Sequence, residues 1–274
     1  MIRRDKLDTP LPSSATADPK QIAYFASMAE EWWNTEGRFK TLHQLNPVRL
    51  RFICDRIARH FGRNPEKHLP LAGLRILDIG CGGGLLSEPM AFLGADVVGI
   101  DATAKLVHVA HVHAAANYVE VDYRHVLAED LAAAGERFDV IVNTEVIEHV
   151  ANVDRFVESC CRLMKPGAIM IVATLNRTLR SLLFAKIGGE YVLRLLPKGT
   201  HDWNRFITPH ELAAMLDRFG VLTTEIVGVG YNPFNQKFRI TGNTAVNYMA
   251  VAVRPSRARL QVVDDDHAPV MTAR

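Results

Sequence analysis

The sequence predicts an α/β fold: a mostly parallel sheet with helices on both faces, one antiparallel strand, a helical N-terminal cap and a helical insert. Three observations predict it. Short apolar runs recur at Leu74–Ile79, Val97–Ile100, Val119–Val126, Phe138–Val142 and Ala168–Ala173, and helical stretches at Leu85–Leu93, Ala104–Asn117 and Val153–Met164 separate most of them. The first run ends in a glycine cluster, Gly80 to Gly84, of the kind that turns a strand sharply into a helix. Two later runs, 221–229 and 248–253, are joined by about 18 residues without helical pattern, which suits a hairpin and an antiparallel strand.

The elements follow in order. Residues 1–18 hold Pro10, Pro12, Ser13 and Ser14 without periodicity and read as a disordered leader. Residues 19–70 read as the cap. Ile22, Phe25, Met28 and Ala29 recur at helical steps, as do Leu50, Ile53, Cys54 and Ile57, with a loop expected from Trp33 to Pro47. Gly62, Asn64, Pro65, Pro70 and Gly73 mark a boundary, and residues 71–253 form the α/β domain. Within it, 176–205 is an insert after the fifth run; a helix follows at Pro209–Phe219. Residues 254–274, with Asp264, Asp265 and Asp266, read as a disordered tail.

Composition bounds the function. The chain has 274 residues, 48% of them hydrophobic, enough to bury a core. A net charge of +2 argues against a dedicated nucleic-acid binder. Cys54, Cys81, Cys160 and Cys161 form no C-x-x-C pair and read as reduced thiols. No window approaches the ~18 apolar residues of a membrane span. No apolar stretch follows the basic N-terminus to make a signal peptide. The expectation is a soluble protein of a reducing compartment.

The glycine turn reads Asp78-Ile79-Gly80-Cys81-Gly82-Gly83-Gly84-Leu85. A dinucleotide fingerprint needs Gly or Ala where Leu85 stands. The loop instead resembles the D-x-G-x-G-x-G signature of S-adenosylmethionine (SAM) methyltransferases, whose fold is Rossmann-like. Asp101 ends the second run, where an acidic side chain accepts bonds from both ribose hydroxyls. Ala128-Glu129-Asp130-Leu131 stands where that superfamily contacts adenine, with Leu127 in place of the usual acid.

Further segments resemble the ubiquinone biosynthesis O-methyltransferase family. They include Trp32-Trp33, Glu36-Gly37-Arg38-Phe39-Lys40, Leu45-Asn46-Pro47-Val48-Arg49, Thr174-Leu175-Asn176-Arg177, Leu196-Pro197-Lys198-Gly199-Thr200-His201-Asp202, Tyr231-Asn232-Pro233 and Val246-Asn247-Tyr248-Met249. The resemblance covers about residues 20–253. It implies SAM-dependent methylation of ring hydroxyls on a prenylated catechol (2-polyprenyl-6-hydroxyphenol) and on 3-demethylubiquinol. It places the SAM site at Arg49, Gly80, Asp101 and Thr144, with Arg49 suited to the methionine carboxylate; Gly82 of the glycine turn is a further cofactor-binding candidate. Thr144 departs from the larger apolar residue common there.

Methyl transfer to a phenol oxygen needs the hydroxyl proton removed, because a free phenol has a pKa of ~10. The candidate catalytic residues are Glu145, Glu148 and His149. If the segment opens a helix, the three face one way. They would then bind a divalent cation, Mg or Zn, that acidifies the hydroxyl. Alternatively His149 is the general base with a carboxylate orienting it, or the group only caps a helix. His201 and Asp202 are further candidates from the insert.

The insert carries Arg177, Arg180, Lys186, Arg194 and Lys198 against Glu190, interleaved with leucines, and Gly188-Gly189 divides it into two short helices. A basic, apolar segment of this kind suits an anionic lipid surface. The lipid substrate implied by the resemblance favours docking through 177–198 on the cytoplasmic side of the inner membrane. Other enzymes of the pathway are candidate partners. Two other readings stand beside this one: a methyltransferase of a soluble phenol or amine, and a catalytically silent SAM-fold module that binds a membrane or partner.

Overall fold

A computed structural model describes residues 16–183 and 203–256. Its strands are β1 (Arg75–Ile79), β2 (Asp96–Ile100), β3 (Asp122–Arg124), β4 (Phe138–Thr144), β5 (Met164–Leu175), β6 (Leu222–Asn232), β7 (Lys237–Thr241) and β8 (Asn247–Val253). They lie side by side in the order β3-β2-β1-β4-β5-β8-β6-β7. The first five are mutually parallel. β8 enters antiparallel between β5 and β6, and β7 folds back antiparallel on β6. The antiparallel region is therefore present, and it contains one strand more than the hydrophobic pattern revealed: β7 occupies part of the 230–247 connection.

The sheet is apolar on both faces because its strands are sandwiched. Leu77, Ile79, Val98, Ile100, Ile141, Met170 and Val172 pack one way with Phe156, Val157, Leu212 and Leu216. Ile76, Val97, Val140, Val142, Ile169 and Ile171 pack the other way with Phe52, Ile53, Ile57 and Met90. That two-sided burial explains why these strands read as continuous apolar runs without alternation.

The helices are α1 (Pro19–Ala26), α2 (Lys40–His60), α3 (Ser87–Phe92), α4 (Ala104–Ala116), α5 (Ala128–Ala133), α6 (Val153–Arg162), α7 (Leu179–Leu183) and α8 (Pro209–Asp217). Their starts follow local chemistry. The Asp18 carboxylate accepts the Lys20 N–H at 3.0 Å and Pro19 opens α1. Asn152 caps α6 through the Arg155 N–H at 3.0 Å. Thr208 and Glu211 exchange bonds as a capping box on α8.

The loop expected from Trp33 to Pro47 is shorter than its sequence suggests. α2 begins at Lys40 and runs through Pro47. The proline removes one backbone hydrogen bond, but Asn46, Arg49, Phe52 and Ile53 bury the flanking turns, and that burial holds the helix together. The third run also contracts, from 119–126 to the three residues of β3. All four cysteines are buried and free. No helix among the described residues is long and apolar enough to cross a membrane. The leader up to residue 15, the insert from 184 to 202 and the tail from 257 lie outside the described residues. So do Gly188, Gly189, His201 and Asp202.

Candidate functional site

The carboxyl ends of the parallel strands open into a cavity of about 760 Å³. The glycine turn, Asp101 to Thr103, Val126 to Glu129 and Thr144 to Val146 form one wall. Residues from α1, α2 and the segment between them roof it, among them Gln21, Phe25, Trp32, Leu42 and Arg49. The far end is mostly apolar, built from Leu45, Val229, Tyr231, Pro233, Phe238 and Val246.

The glycine turn holds its shape for two reasons. Gly80 has φ +70° and Gly82 φ +54°, a region costly for residues with a Cβ. A Cβ on Gly80 would also stand 2.2 Å from Val146 Cγ2. At Gly82 and Gly83 the close neighbour is the cap: the Trp32 indole would lie 2.2 Å from a Cβ at either position. Trp33 adds a bond from its Nε1 to the Gly83 carbonyl at 3.0 Å and stacks flat on His113, centroids 3.5 Å apart. The glycines thus seat the cap on the loop.

Asp101 stands at the end of β2 with both carboxylate oxygens engaged. Oδ2 accepts the Gly82 N–H at 3.0 Å and Oδ1 accepts the Thr103 N–H at 2.7 Å. Burial raises its pKa, opposed by these two N–H bonds. A carboxylate has about four lone-pair sites, so acceptor capacity remains on the cavity side.

Arg49 projects from α2 and is buried. Its Nη1 donates to Thr144 Oγ1 at 3.2 Å and its Nη2 to Asn46 Oδ1 at 3.0 Å, while Nε has no partner. Asn46 in turn donates to the Leu85 carbonyl at 2.9 Å. Burial lowers the Arg49 pKa, and the nearby Glu145 and Asp78 charges oppose that shift. An arginine stays protonated through such a shift. The unpartnered donor of a buried guanidinium is a ready seat for a carboxylate. Asp78 below it accepts the Ser87 hydroxyl at 2.6 Å, and burial pushes its pKa up to about 6.

Residues 145–149 leave β4 as a turn and do not open a helix. Glu145 carries φ +58°, so the expected helical face is not formed; its N–H instead extends the ladder to the Ala173 carbonyl at 2.8 Å. Glu145, half-buried, and Glu148, buried, are nevertheless brought together and interact. Glu148 Oε2 accepts the Thr174 hydroxyl at 2.9 Å and Oε1 has no donor. Burial and the Glu145 charge raise the Glu148 pKa well above the usual carboxylate value. Burial raises Glu145 as well, and the Arg49 charge opposes it. His149 also lines the cavity. Its Nδ1 lies 3.1 Å from Gln21 Oε1, and the Phe25 ring meets it edge-on, centroids 5.2 Å apart. Among the described residues no three His, Cys, Asp or Glu side chains form a metal-holding group. The carboxylate pair with its orphan oxygen has the donor chemistry of a hard cation site; His149 stands outside that pair.

Arg49, Gly80, Gly82, Asp101, Thr144, Glu145 and His149 all line the one cavity. Three participants escaped the sequence reading. Gln21 meets His149 across 128 residues of chain; Thr16 accepts the Ala151 N–H at 2.9 Å and bonds Glu129; Asp18 pairs with Arg205 at 2.9 Å. The only local signal was the apolar period of α1, which announces a helix but not its partner. Thr144, the departure from the family pattern, turns its hydroxyl to Arg49.

A doubly wound sheet with a glycine turn, an acidic strand end and a cavity above it is methyltransferase architecture, and a family model described as a methyltransferase domain matches residues 41–225. Among solved structures, magnesium protoporphyrin IX methyltransferase from Synechocystis, with bound SAH, superposes with a TM-score of 0.58 at 22% identity, covering 85% of this chain and 97% of that one. A possible histamine N-methyltransferase from Thermotoga maritima gives a TM-score of 0.58 at 15% identity, covering 85% and 99%. These agree in fold. Sequence relatives go further. The ubiquinone biosynthesis O-methyltransferase of Chelativorans sp. (strain BNC1) is 51% identical over 88% of this chain and 95% of its own length. That of Mesorhizobium japonicum is 51% identical over 90% and 99%. The chain belongs to the ubiquinone biosynthesis O-methyltransferase family.

Proposed function

We propose that the chain transfers the SAM methyl group to ring hydroxyls of prenylated catechol and demethylquinol intermediates of ubiquinone biosynthesis. The observation that carries this reading is one continuous cavity. It joins a polar end, with Asp101 and the unpartnered Arg49 donor, to an apolar end that suits a prenylated ring, with Glu145 and His149 on its wall.

In this reading Asp101 receives the ribose hydroxyls on its remaining lone pairs, and Arg49 receives the methionine carboxylate. Gly80, Gly82 and Thr144 line the path between them. The ring oxygen attacks the methyl carbon. The carbon–sulfur bond breaks with its electron pair to sulfur, S-adenosylhomocysteine leaves, and the hydroxyl proton passes to His149. Gln21, with its Oε1 beside Nδ1, orients the imidazole for that transfer. Much of the rate comes from alignment of oxygen, carbon and sulfur. A divalent cation belongs to this proposal: Glu145 and Glu148, with His149 beside them, would hold it, and it would acidify the ring hydroxyl. Residues 19–70 act as the cap over the cavity. Residues 177–198 of the insert (176–205) dock the protein on anionic lipid at the cytoplasmic face of the inner membrane, where pathway enzymes are its candidate partners.

The test is methyl transfer from labelled SAM to a prenylated catechol, a prenylated demethylquinol and a soluble catechol, with and without chelator. Product on both prenylated substrates is expected. Product on neither overturns the reading, and product on the soluble catechol alone favours a soluble-substrate enzyme. Chelator-insensitive turnover removes the cation from it. Failure of calorimetry to detect SAM binding would favour the silent module.

A further inference from the structure

We infer that the tip of the β6–β7 hairpin is a second membrane contact, a finger that seats in an anionic bilayer beside the mouth of the cavity. The geometry of the sheet puts it there. Leu175, the last residue of β5, is level with Asn247 at the start of β8, and Asn247 Oδ1 in turn accepts the Val229 N–H at 3.0 Å. β6 continues from Val229 to Asn232, so the hairpin projects roughly 10 Å past the carboxyl edge of the sheet. That is the edge on which the cavity opens, and Tyr231, Pro233 and Phe238 of the hairpin line its apolar end.

The tip itself is built to present an aromatic ring. Phe234 is 97% exposed. Two side-chain bonds hold the turn around it: Asn232 Oδ1 accepts the Phe234 N–H at 3.0 Å, and Asn235 Oδ1 accepts the Lys237 N–H at 3.2 Å. An exposed large aromatic on a held turn is the unit by which soluble proteins enter the headgroup region. Charge selects the partner. From Ile226 to Val263 the chain has no Asp or Glu, while exposed Lys237 and Arg239 follow the tip. The neighbouring edge continues the pattern, with Leu179 of α7 73% exposed next to exposed Arg180. Asn176 donates to the Thr244 carbonyl at 2.8 Å, which ties the start of that segment to the β7–β8 loop. Basic and apolar groups at one edge match an anionic lipid surface.

The inference deepens the lipid-substrate reading above and rests on it for its purpose, but its test is independent of catalysis. Purified protein is floated with vesicles of phosphatidylcholine alone or mixed with phosphatidylglycerol. The wild type is expected to partition to the mixed vesicles. Phe234→Ser should lower the partition constant about tenfold, and Lys237→Glu severalfold, each without change in turnover of a soluble catechol or in melting temperature. Absence of wild-type partition, or unchanged partition of Phe234→Ser, overturns the inference. Loss of a partner enzyme's binding with vesicle binding intact would reassign the tip to a protein surface and equally overturn it. A chain that partitions through Phe234 yet methylates no prenylated substrate would instead count against the reading it rests on.

Discussion

Gly83→Ala isolates the contact between cap and glycine turn. Gly83 has no positive φ, so alanine meets no backbone penalty there. Its Cβ would stand 2.2 Å from Trp32 Cδ1, 2.6 Å from Cγ and 2.8 Å from Nε1. The indole must therefore retreat by about an ångström to reach ordinary contact, and it has little room: Trp32 is buried, with the Phe39 ring centroid 4.5 Å away. Overpacking of this kind costs about 1–3 kcal/mol, while alanine's smaller unfolded-state entropy offsets about 0.4–1 kcal/mol. The net loss is about 0.5–2 kcal/mol, or a melting temperature lower by a few degrees in a domain of this size. In a Trp32→Leu background the clashing atoms are gone, and Gly83→Ala should become neutral or mildly stabilising. Gly82→Ala should behave differently. Its φ of +54° adds about 1–2 kcal/mol that removal of the indole does not relieve. The assay is a double-mutant cycle by urea denaturation. Equal cost of Gly83→Ala in both backgrounds, a coupling below ~0.5 kcal/mol, would refute the packing argument.

Two more outcomes follow from buried charge. Thr144→Val keeps shape but removes the acceptor of Arg49 Nη1; leaving a buried guanidinium donor unmet should cost about 1–3 kcal/mol of stability and weaken SAM binding severalfold. Calorimetry checks the second effect, and unchanged affinity would detach Arg49 from the cofactor. Asp78, pushed up to about 6, binds its proton more tightly folded than unfolded. Its contribution to stability is therefore present below pH ~4 and lost as pH rises through 6. Relative to Asp78→Asn, the wild type should lose on the order of 3 kcal/mol between pH 4 and 7, and a parallel pH course of the two melting curves would contradict that.

The parts of the fold visible in the sequence are those whose physics is local. β1, β2, β4 and β5 are buried on both faces and so spell themselves as apolar runs; Gly80 and Gly82 announce a turn because only glycine adopts their φ cheaply. β7 was hidden because Lys237-Phe238-Arg239-Ile240-Thr241 is a short edge strand, half polar, inside what reads as a connection. The six residues of α5 are too few to show a period. Pro47 looked like a boundary, and only the burial of its neighbours explains a helix that ignores it. At the site, the residue types in Glu145-Val146-Ile147-Glu148-His149 were legible but their directions were not. A positive φ at Glu145 turns the segment, sending one carboxylate towards Arg49 and the imidazole towards Gln21. Contacts between distant parts of the chain, such as Gln21 with His149, have no local trace to read.

The placement of the tryptophans has an optical consequence. The chain has three. Trp32 and Trp33 lie on Gly82 and Gly83, and Trp203 donates from its Nε1 to the Thr178 carbonyl at 3.0 Å, where the chain returns beside the start of α7. The indoles thus report on two separate regions, the glycine turn and the base of the insert. Intrinsic emission would then have two independent channels. Trp203→Phe silences the channel at the insert and leaves the cap pair to follow ligand entry, while Trp33→Phe dims the cap and leaves Trp203 to follow events at the membrane edge.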